Sequence, residues 1–374
     1  MEIKMKIAII TNIPTPYRQK QWEYFADCEY LDITIFYCSD IENDRHWSVN
    51  SSKGVKEVFL GGLCYKKLHF NPGILKVVFQ DFDAFFIGGY GYPSLVMAII
   101  ALKLLRKPWV ILIDGISPLK LKKDNVVLKS IKRFLLNDAS AYFANGTVSK
   151  LYLKEFKIPE NKIFNQYMTV DTNYFLEKEA EGIKNRDKLR QAYGISNDSV
   201  VILYVGRLVS HKGVDDLISA IKYLNKENYD VSLLIVGDGL IKKKLEQKAK
   251  KLRNVFFTGH IQPWELYNYY YASDIFILPT KDDPWGLVVN EAMTCGLPTI
   301  TTNAAGCSLD LINGNGYVIK IGEKEELMHA IKKLMDPILR KSYGKRSREI
   351  ISNWTYEESL KSLNEMIRSC VYGN

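Results

Sequence analysis

Short apolar runs alternate along this chain with stretches whose apolar residues recur at helix spacing. Lys6 to Thr11 is such a run, followed by a helical pattern from Pro16 to about Phe25 and a second run from Leu31 to Cys38. Val55 to Leu60 is strand-like after a polar loop, and Ala84 to Ile87 leads through GGYGYPS into a helix from Leu95 to Leu105. Trp109 to Ile113, a basic helix over Val126 to Leu136, the short strand Ala141 to Ala144, a helix over Ser149 to Lys157 and extended Ile163 to Tyr167 complete this half. Repeated strand–helix alternation with short connections predicts an α/β fold with a parallel, doubly wound sheet. Ligands of such sheets bind outside the carboxyl ends of the strands.

A charged, loop-like segment from Glu177 to about Asn197 interrupts the alternation, which then restarts. Val200 to Val205 ends in Gly206-Arg207, and a helix begins near Val214. Ser232 to Val236 is followed by Gly237-Asp238-Gly239 and a Lys-rich helix to Lys251. Val255 to Thr258 leads to Gly259-His260, and Ala272 to Leu278 is the next strand. A restart after a linker is the signature of a second doubly wound domain. The expected organisation is residues 1–176, residues 177–352, and a final helix within 353–374.

The stretch Pro279 to Pro298, PTKDDPWGLVVNEAMTCGLP, joins that last strand to a helix carrying Leu287, Val288, Glu291, Ala292 and Cys295 at helical spacing. A strand that empties into a helix N-terminus can hold an anion, because the first-turn N–H groups have no intrahelical partner. Asp283 as cap and Pro284 at the first helical position explain the same residues without any ligand. Both readings stand at this point. Arg207 and Lys212, five residues apart, leave one strand end beside a glycine that permits close approach. They form a candidate diphosphate clamp, Arg as a fork and Lys as a point charge.

Composition changes the picture little. At 374 residues, 47% apolar and 25% charged, the chain suits two domains with full cores. The first apolar run stops at Thr11 and Asn12, too short for a signal's apolar core or a membrane span. The six cysteines (28, 38, 64, 295, 307, 370) show no CxxC or pairing pattern, which favours free thiols in a reducing cytoplasm over disulfides or zinc. The net charge of +9 is uneven: Lys103 to Arg133 holds nine basic residues against Asp114 and Asp124. Within it, Val127, Ile131, Phe134 and Leu135 oppose Lys129, Lys132 and Arg133 as a basic amphipathic helix. One reading packs its apolar face and solvates its basic face. The other makes it a peripheral patch for anionic lipid headgroups or a polyprenyl diphosphate at the cytoplasmic face of a membrane. No helix-turn-helix, RNP or zinc pattern accompanies the charge, so nucleic acid is not an expected partner.

Two local patterns carry less. Gly88, Gly89 and Gly91 follow a strand, but neither GxGxxG nor a Walker pattern is present. Asp81-Phe82-Asp83 precedes its strand, at the end where this architecture does not place ligands, so no metal site is assigned. Asp114 ends a strand before Gly115, where a role at a cleft fits.

Taken together, YVGRLVSHKGVDDLISAI, VGDG, FFTGHI, GLVVNEAMTCGLPTITTNAAG and NGNGYVI resemble, in order and spacing, the motifs of retaining glycosyltransferases of the GT-B fold, family 4. NQYMTVDTNYF resembles that family's interdomain segment. The resemblance implies two Rossmann-like domains facing a cleft and a metal-independent transfer of sugar from a nucleoside diphosphate to a hydroxyl acceptor. The basic patch from Lys103 to Arg133 suggests a lipid-linked cell-surface glycan as that acceptor. The resemblance further implies that Arg207 and Lys212 bind the donor diphosphate and stabilise its departure. Glu291 would take the ribose hydroxyls, the backbone near Trp285, Gly286 and Leu287 would face sugar and phosphates, and Gly259, His260 and Ile261 would lie near the base. The family's E-x7-E appears here as D-x7-E, with Asp283 in place of the first Glu. Its paired glycines after the first strand are replaced by Asn12-Ile13-Pro14-Thr15-Pro16, and Asp114 stands where many members have His. Asp114 and Tyr90 are the acceptor-side candidates. The alternative reading, kept open by Asp283, is a donor-binding protein without transfer.

Overall fold

A computed structural model describes residues 4–40, 51–65, 68–121 and 123–371. The chain divides into two compact units. The first comprises Met1–Asp114, Leu121–Met168 and Tyr356–Asn374, and the second Gly115–Lys120 and Thr169–Thr355. Among the described residues no helix is long and apolar enough to cross a membrane.

In the first unit the strands are β1 (Met5–Thr11), β2 (Leu31–Tyr37), β3 (Lys56–Phe59), β4 (Leu63–Tyr65), β5 (Leu68–Phe70), β6 (Ala84–Ile87), β7 (Trp109–Ile113), β8 (Ala141–Ala144) and β9 (Ile163–Asn165). Seven form one sheet in the order β3-β2-β1-β6-β7-β8-β9, parallel throughout. β4 and β5 form a separate antiparallel hairpin. Central strands such as β6 and β8 are buried along their whole length, so they read as continuous apolar runs. One side of the sheet packs on Trp22 and Phe25 of the helix Pro16–Ala26 and on Leu363, Met366 and Ile367 of the final helix Tyr356–Val371. The strand order reverses between β1 and β6, and Gly88 after β6 lies so close to Thr11 that a Cβ there would stand 2.6 Å from its hydroxyl. This glycine serves close packing. The Asp81-Phe82-Asp83 segment has a structural role: Asp83 accepts the Lys6 N–H at 2.7 Å.

The basic helix Val126–Leu136 is present, capped by Asn125, whose side chain accepts from Leu128 N–H. Its apolar face is packed only in part. Val127, Ile131 and Phe134 are exposed, as are Val126 and Leu128, while Leu135 and Leu136 are buried. Lys132 turns inward to Asp124 at 2.7 Å, and Lys103 donates to the Phe134 carbonyl. These polar ties orient the helix with much of its apolar side outward. Lys122 lies outside the described residues.

The second unit contains β10 (Val200–Val205), β11 (Val231–Val236), β12 (Val255–Gly259), β13 (Ile275–Leu278), β14 (Thr299–Thr302) and β15 (Gly316–Ile319). They form a parallel sheet in the order β12-β11-β10-β13-β14-β15, with its reversal between β10 and β13. This unit begins at Thr169 instead of Glu177, because Asp171 caps a helix, Thr172–Glu177, whose Phe175 packs edge-on to Tyr270 at 5.9 Å.

The charged segment expected as a loop is largely helix, Glu179–Ala192. Its anchors are polar and small, which is why apolar periodicity misses it. Buried Arg190 donates to the carbonyls of Ala272, Asn197 and Ser199 and to Asp274, and Arg186 adds a second bond to Asp274 at 2.7 Å. Gly182 lets the helix approach Tyr271, whose ring a Cβ would meet at 2.4 Å.

Candidate functional site

The carboxyl ends of β10, β11 and β12 are drawn together by glycines. Gly206 N–H donates to Val236 O at 3.0 Å, and Gly237 N–H to Gly259 O at 2.8 Å. A Cβ on Gly237 would lie 1.9 Å from Gly206 O, and Gly237 has φ 141°, a combination that demands glycine. Arg207 emerges exposed from this layer. The Tyr204 hydroxyl donates to the Arg207 carbonyl at 2.9 Å, steadying the start of the loop. Burial, with Asp283 nearby, raises the Tyr204 pKa and keeps it a neutral donor.

Across the reversal, the loop after β10 is bonded to the loop after β13. Lys281 N–H donates to His211 O at 2.6 Å and the Thr280 hydroxyl to the same carbonyl at 3.2 Å. Gly213, at φ 70°, comes so close to the Pro279 carbonyl that a Cβ would stand 1.9 Å from it. These contacts bring Lys212 to Asp283, Nζ to Oδ2 at 2.5 Å, both side chains mostly withdrawn from solvent. Burial, reinforced by Lys212 and Arg207, lowers the His211 pKa, so His211 adds no cation near neutrality.

Asp283 does not cap the following helix. The helix is Leu287–Thr294 and its cap position is Gly286 at φ 96°. Asp283 Oδ1 instead accepts the Trp285 N–H at 3.1 Å, leaving Oδ2 for Lys212. Pro284 therefore lies before the helix, and its carbonyl abuts Gly306, where a Cβ would stand 1.8 Å away. The Trp285 amide, expected to face a ligand, is engaged by Asp283. Its indole is buried, donating to Asn290 at 3.0 Å and lying 4.8 Å from the Trp354 ring. In the first turn the Val289 N–H donates to the Gly286 carbonyl at 2.8 Å, and helix geometry gives the Leu287 and Val288 N–H groups no intrahelical acceptor.

Glu291 lies one turn into that helix. It receives the Tyr270 hydroxyl on Oε2, and burial pushes its carboxyl up to about 7 although that hydrogen bond acts to lower it. At the next strand end Gly259 has φ 78°, His260 is exposed and Ile261 half-exposed. In the first unit, Asp114 accepts the Tyr17 hydroxyl at 2.9 Å and pairs with buried Arg18. Tyr90 and Tyr152 share a hydroxyl contact at 2.7 Å. Among the described residues no group of three or more His, Cys, Asp or Glu side chains is arranged to hold a metal ion.

Sequence reasoning missed Tyr270, Tyr204, Tyr17 and Arg18. Tyr270 sits in the run Tyr269-Tyr270-Tyr271, and its hydroxyl's destination is a residue beyond the next strand. The only available signal was an aromatic residue at a buried helical position.

Two doubly wound parallel sheets, each with its site-forming loops at the carboxyl ends, define a protein of the GT-B fold. Residues 185–350 match the model of the glycosyl transferases group 1 family. It is similar to the capsular polysaccharide biosynthesis glycosyltransferase CapM of Staphylococcus aureus, with 30% identity over 45% of this chain and 46% of that protein. It is also similar to a GDP-mannose-dependent monoacylated alpha-(1-6)-phosphatidylinositol monomannoside mannosyltransferase of Corynebacterium glutamicum, at 28% over 50% of this chain and 51% of that one. The match thus spans about half the length of these relatives. Among solved structures, Anabaena HepE in complex with UDP superposes with a TM-score of 0.75 at 20% identity, covering 98% of this chain and 100% of that one. This last likeness is one of fold.

Proposed function

We propose that this protein transfers a glycosyl group, with retention, from a nucleoside diphosphate sugar to a hydroxyl acceptor. The observation that carries the reading is the meeting of Lys212 and Asp283 at the β10–β13 reversal, with Arg207 on the same loop and the Leu287 helix start beside it. Departure of a nucleoside diphosphate concentrates negative charge, which Arg207, Lys212 and the helix amides stabilise without rearranging. Asp283 holds Lys212 oriented and faces the sugar; Glu291 takes the ribose hydroxyls; the loop Gly259 to Ile261 borders the base. The transition state is oxocarbenium-like. Acceptor attack comes from the face the diphosphate leaves, and the donor phosphate receives the proton. HepE was solved with UDP, and the mannosyltransferase relative is named for a GDP-sugar; both names support a nucleoside diphosphate donor. The test is release of nucleoside diphosphate from a panel of donor sugars with envelope lipid extract, with the product anomer read by NMR. Asp283→Glu and Glu291→Ala are run alongside. Donor binding without release under any acceptor would establish the donor-binding alternative instead.

For the acceptor we propose a lipid-linked glycan met at the cytoplasmic face of a membrane. Exposed Val126, Val127, Ile131 and Phe134 beside Lys129 and Arg133 support this, since apolar insertion and attraction to anionic headgroups add. Flotation with phosphatidylglycerol vesicles tests it. Ile131→Asp with Phe134→Asp abolishes binding on this reading, and unchanged flotation overturns it.

A further inference from the structure

Tyr270 belongs to a helix, Leu266–Tyr271, whose Tyr267, Tyr270 and Tyr271 are buried. Its ring is fully buried, held edge-on by Phe175 at 5.9 Å and tilted against Phe276 at 6.0 Å. The neighbouring tyrosines anchor the same helix: Tyr271 donates to Phe175 O at 2.8 Å, and Tyr269 meets the Tyr193 hydroxyl at 3.4 Å. The Tyr270 hydroxyl is thus delivered by a rigid aromatic cluster to one atom, Oε2 of Glu291. The Tyr270 hydroxyl engages Oε2 and leaves Oε1 to other partners.

A glutamate has three side-chain torsions, and freezing them on binding costs affinity. A donor that already holds one carboxyl oxygen removes part of that cost and leaves the second oxygen aimed. We propose that Tyr270 is a positioning residue for the donor: by holding Oε2 of Glu291, it presents Oε1 to the ribose diol. The proposal rests on the reading of Glu291 as the ribose ligand. It assigns ribose recognition to a two-residue device, an aromatic hydroxyl from the helix before β13 and a carboxyl from the helix after it. Tyr270 itself touches no substrate.

The experiment is calorimetric titration of UDP and GDP, each beside its 2′-deoxy counterpart, into the wild-type chain, Tyr270→Phe and Glu291→Ala. The phenylalanine keeps the ring and its packing, and circular dichroism with a melting curve verifies the fold. Wild type prefers the ribonucleotide. Tyr270→Phe is expected to lose roughly tenfold in ribonucleotide affinity, the worth of one hydrogen bond to a charged group. Its 2′-deoxy affinity changes less than about twofold, so the preference collapses. A role in packing alone would weaken both ligands together, and that result, or an unchanged preference, overturns the proposal. If Glu291→Ala also keeps the wild-type preference, the assignment of Glu291 to the ribose has failed, an outcome distinct from failure of Tyr270 to position it.

Discussion

Lys212 Nζ lies 2.5 Å from Asp283 Oδ2, joining the loop after β10 to the loop after β13 across the point where the second sheet reverses. The pair places a cation at the site and fixes the short carboxylate that stands where the family pattern has Glu. Because Asp283 Oδ1 already binds the Trp285 amide, the carboxylate is held from both sides. One methylene fewer is thereby matched by a lysine that comes to meet it.

Lys212→Met is expected to lower kcat/KM about a hundredfold, since on the proposed function it removes a charge aimed at the leaving group. Asp283→Asn should cost about tenfold or more through loss of lysine orientation and, on the proposed function, of its contact to the sugar. The double variant should lose less than the two single losses combined, as residues in direct contact are not additive. Steady-state kinetics on the four proteins give the coupling.

Stability should fall as pH rises from about 4.5 to about 7, the interval between the ordinary and the raised Glu291 values. In that window the folded state binds the proton and the unfolded chain has released it, so raising pH favours unfolding, and above it the dependence levels off. The contribution is at most about 3 kcal/mol. Melting curves from pH 4.5 to 8 should show this slope in wild type and a shallower one in Glu291→Gln.

Arg190→Met should destabilise the second unit by about 3–5 kcal/mol, because it leaves Asp274 and three carbonyls short of a buried partner. Urea unfolding measures this directly. An effect under about 1 kcal/mol would mean that the helix Glu179–Ala192 is held by other contacts.

Gly213→Ala forces a Cβ toward the Pro279 carbonyl at a φ of 70°. The loop must move and takes Lys212 with it. The expected result is a loss of about 2 kcal/mol in stability together with reduced turnover. Ser210→Ala, in the same loop but without that contact, is the control that should retain both.

Most of the strands were legible in the sequence because parallel strands buried on both faces must be continuous apolar runs. Ala84 to Ile87, Trp109 to Ile113 and Val200 to Val205 are bounded in the structure as their apolar runs predict. The helix Glu179–Ala192 was not legible, since it is fastened by Arg186, Arg190 and a close approach at Gly182. The Asp283 cap reading failed for a related reason. A short carboxylate before a helix can serve its own loop as well as the helix, and here it serves the Trp285 amide and a lysine 71 positions upstream.

The sequence by itself determined two parallel sheets, the strand ends from which the site is built, and the residue types stationed there. Burial and backbone conformation are local demands, met by apolar runs and by glycines at positive φ. Tertiary structure alone decided that Lys212 meets Asp283, that Tyr270 holds Glu291, and that Val127, Ile131 and Phe134 face outward. Those outcomes depend on where loops and helices from distant parts of the chain come to rest. No local pattern encodes them, because each hydrogen bond or ion pair forms only after the sheet has set the spacing between its partners.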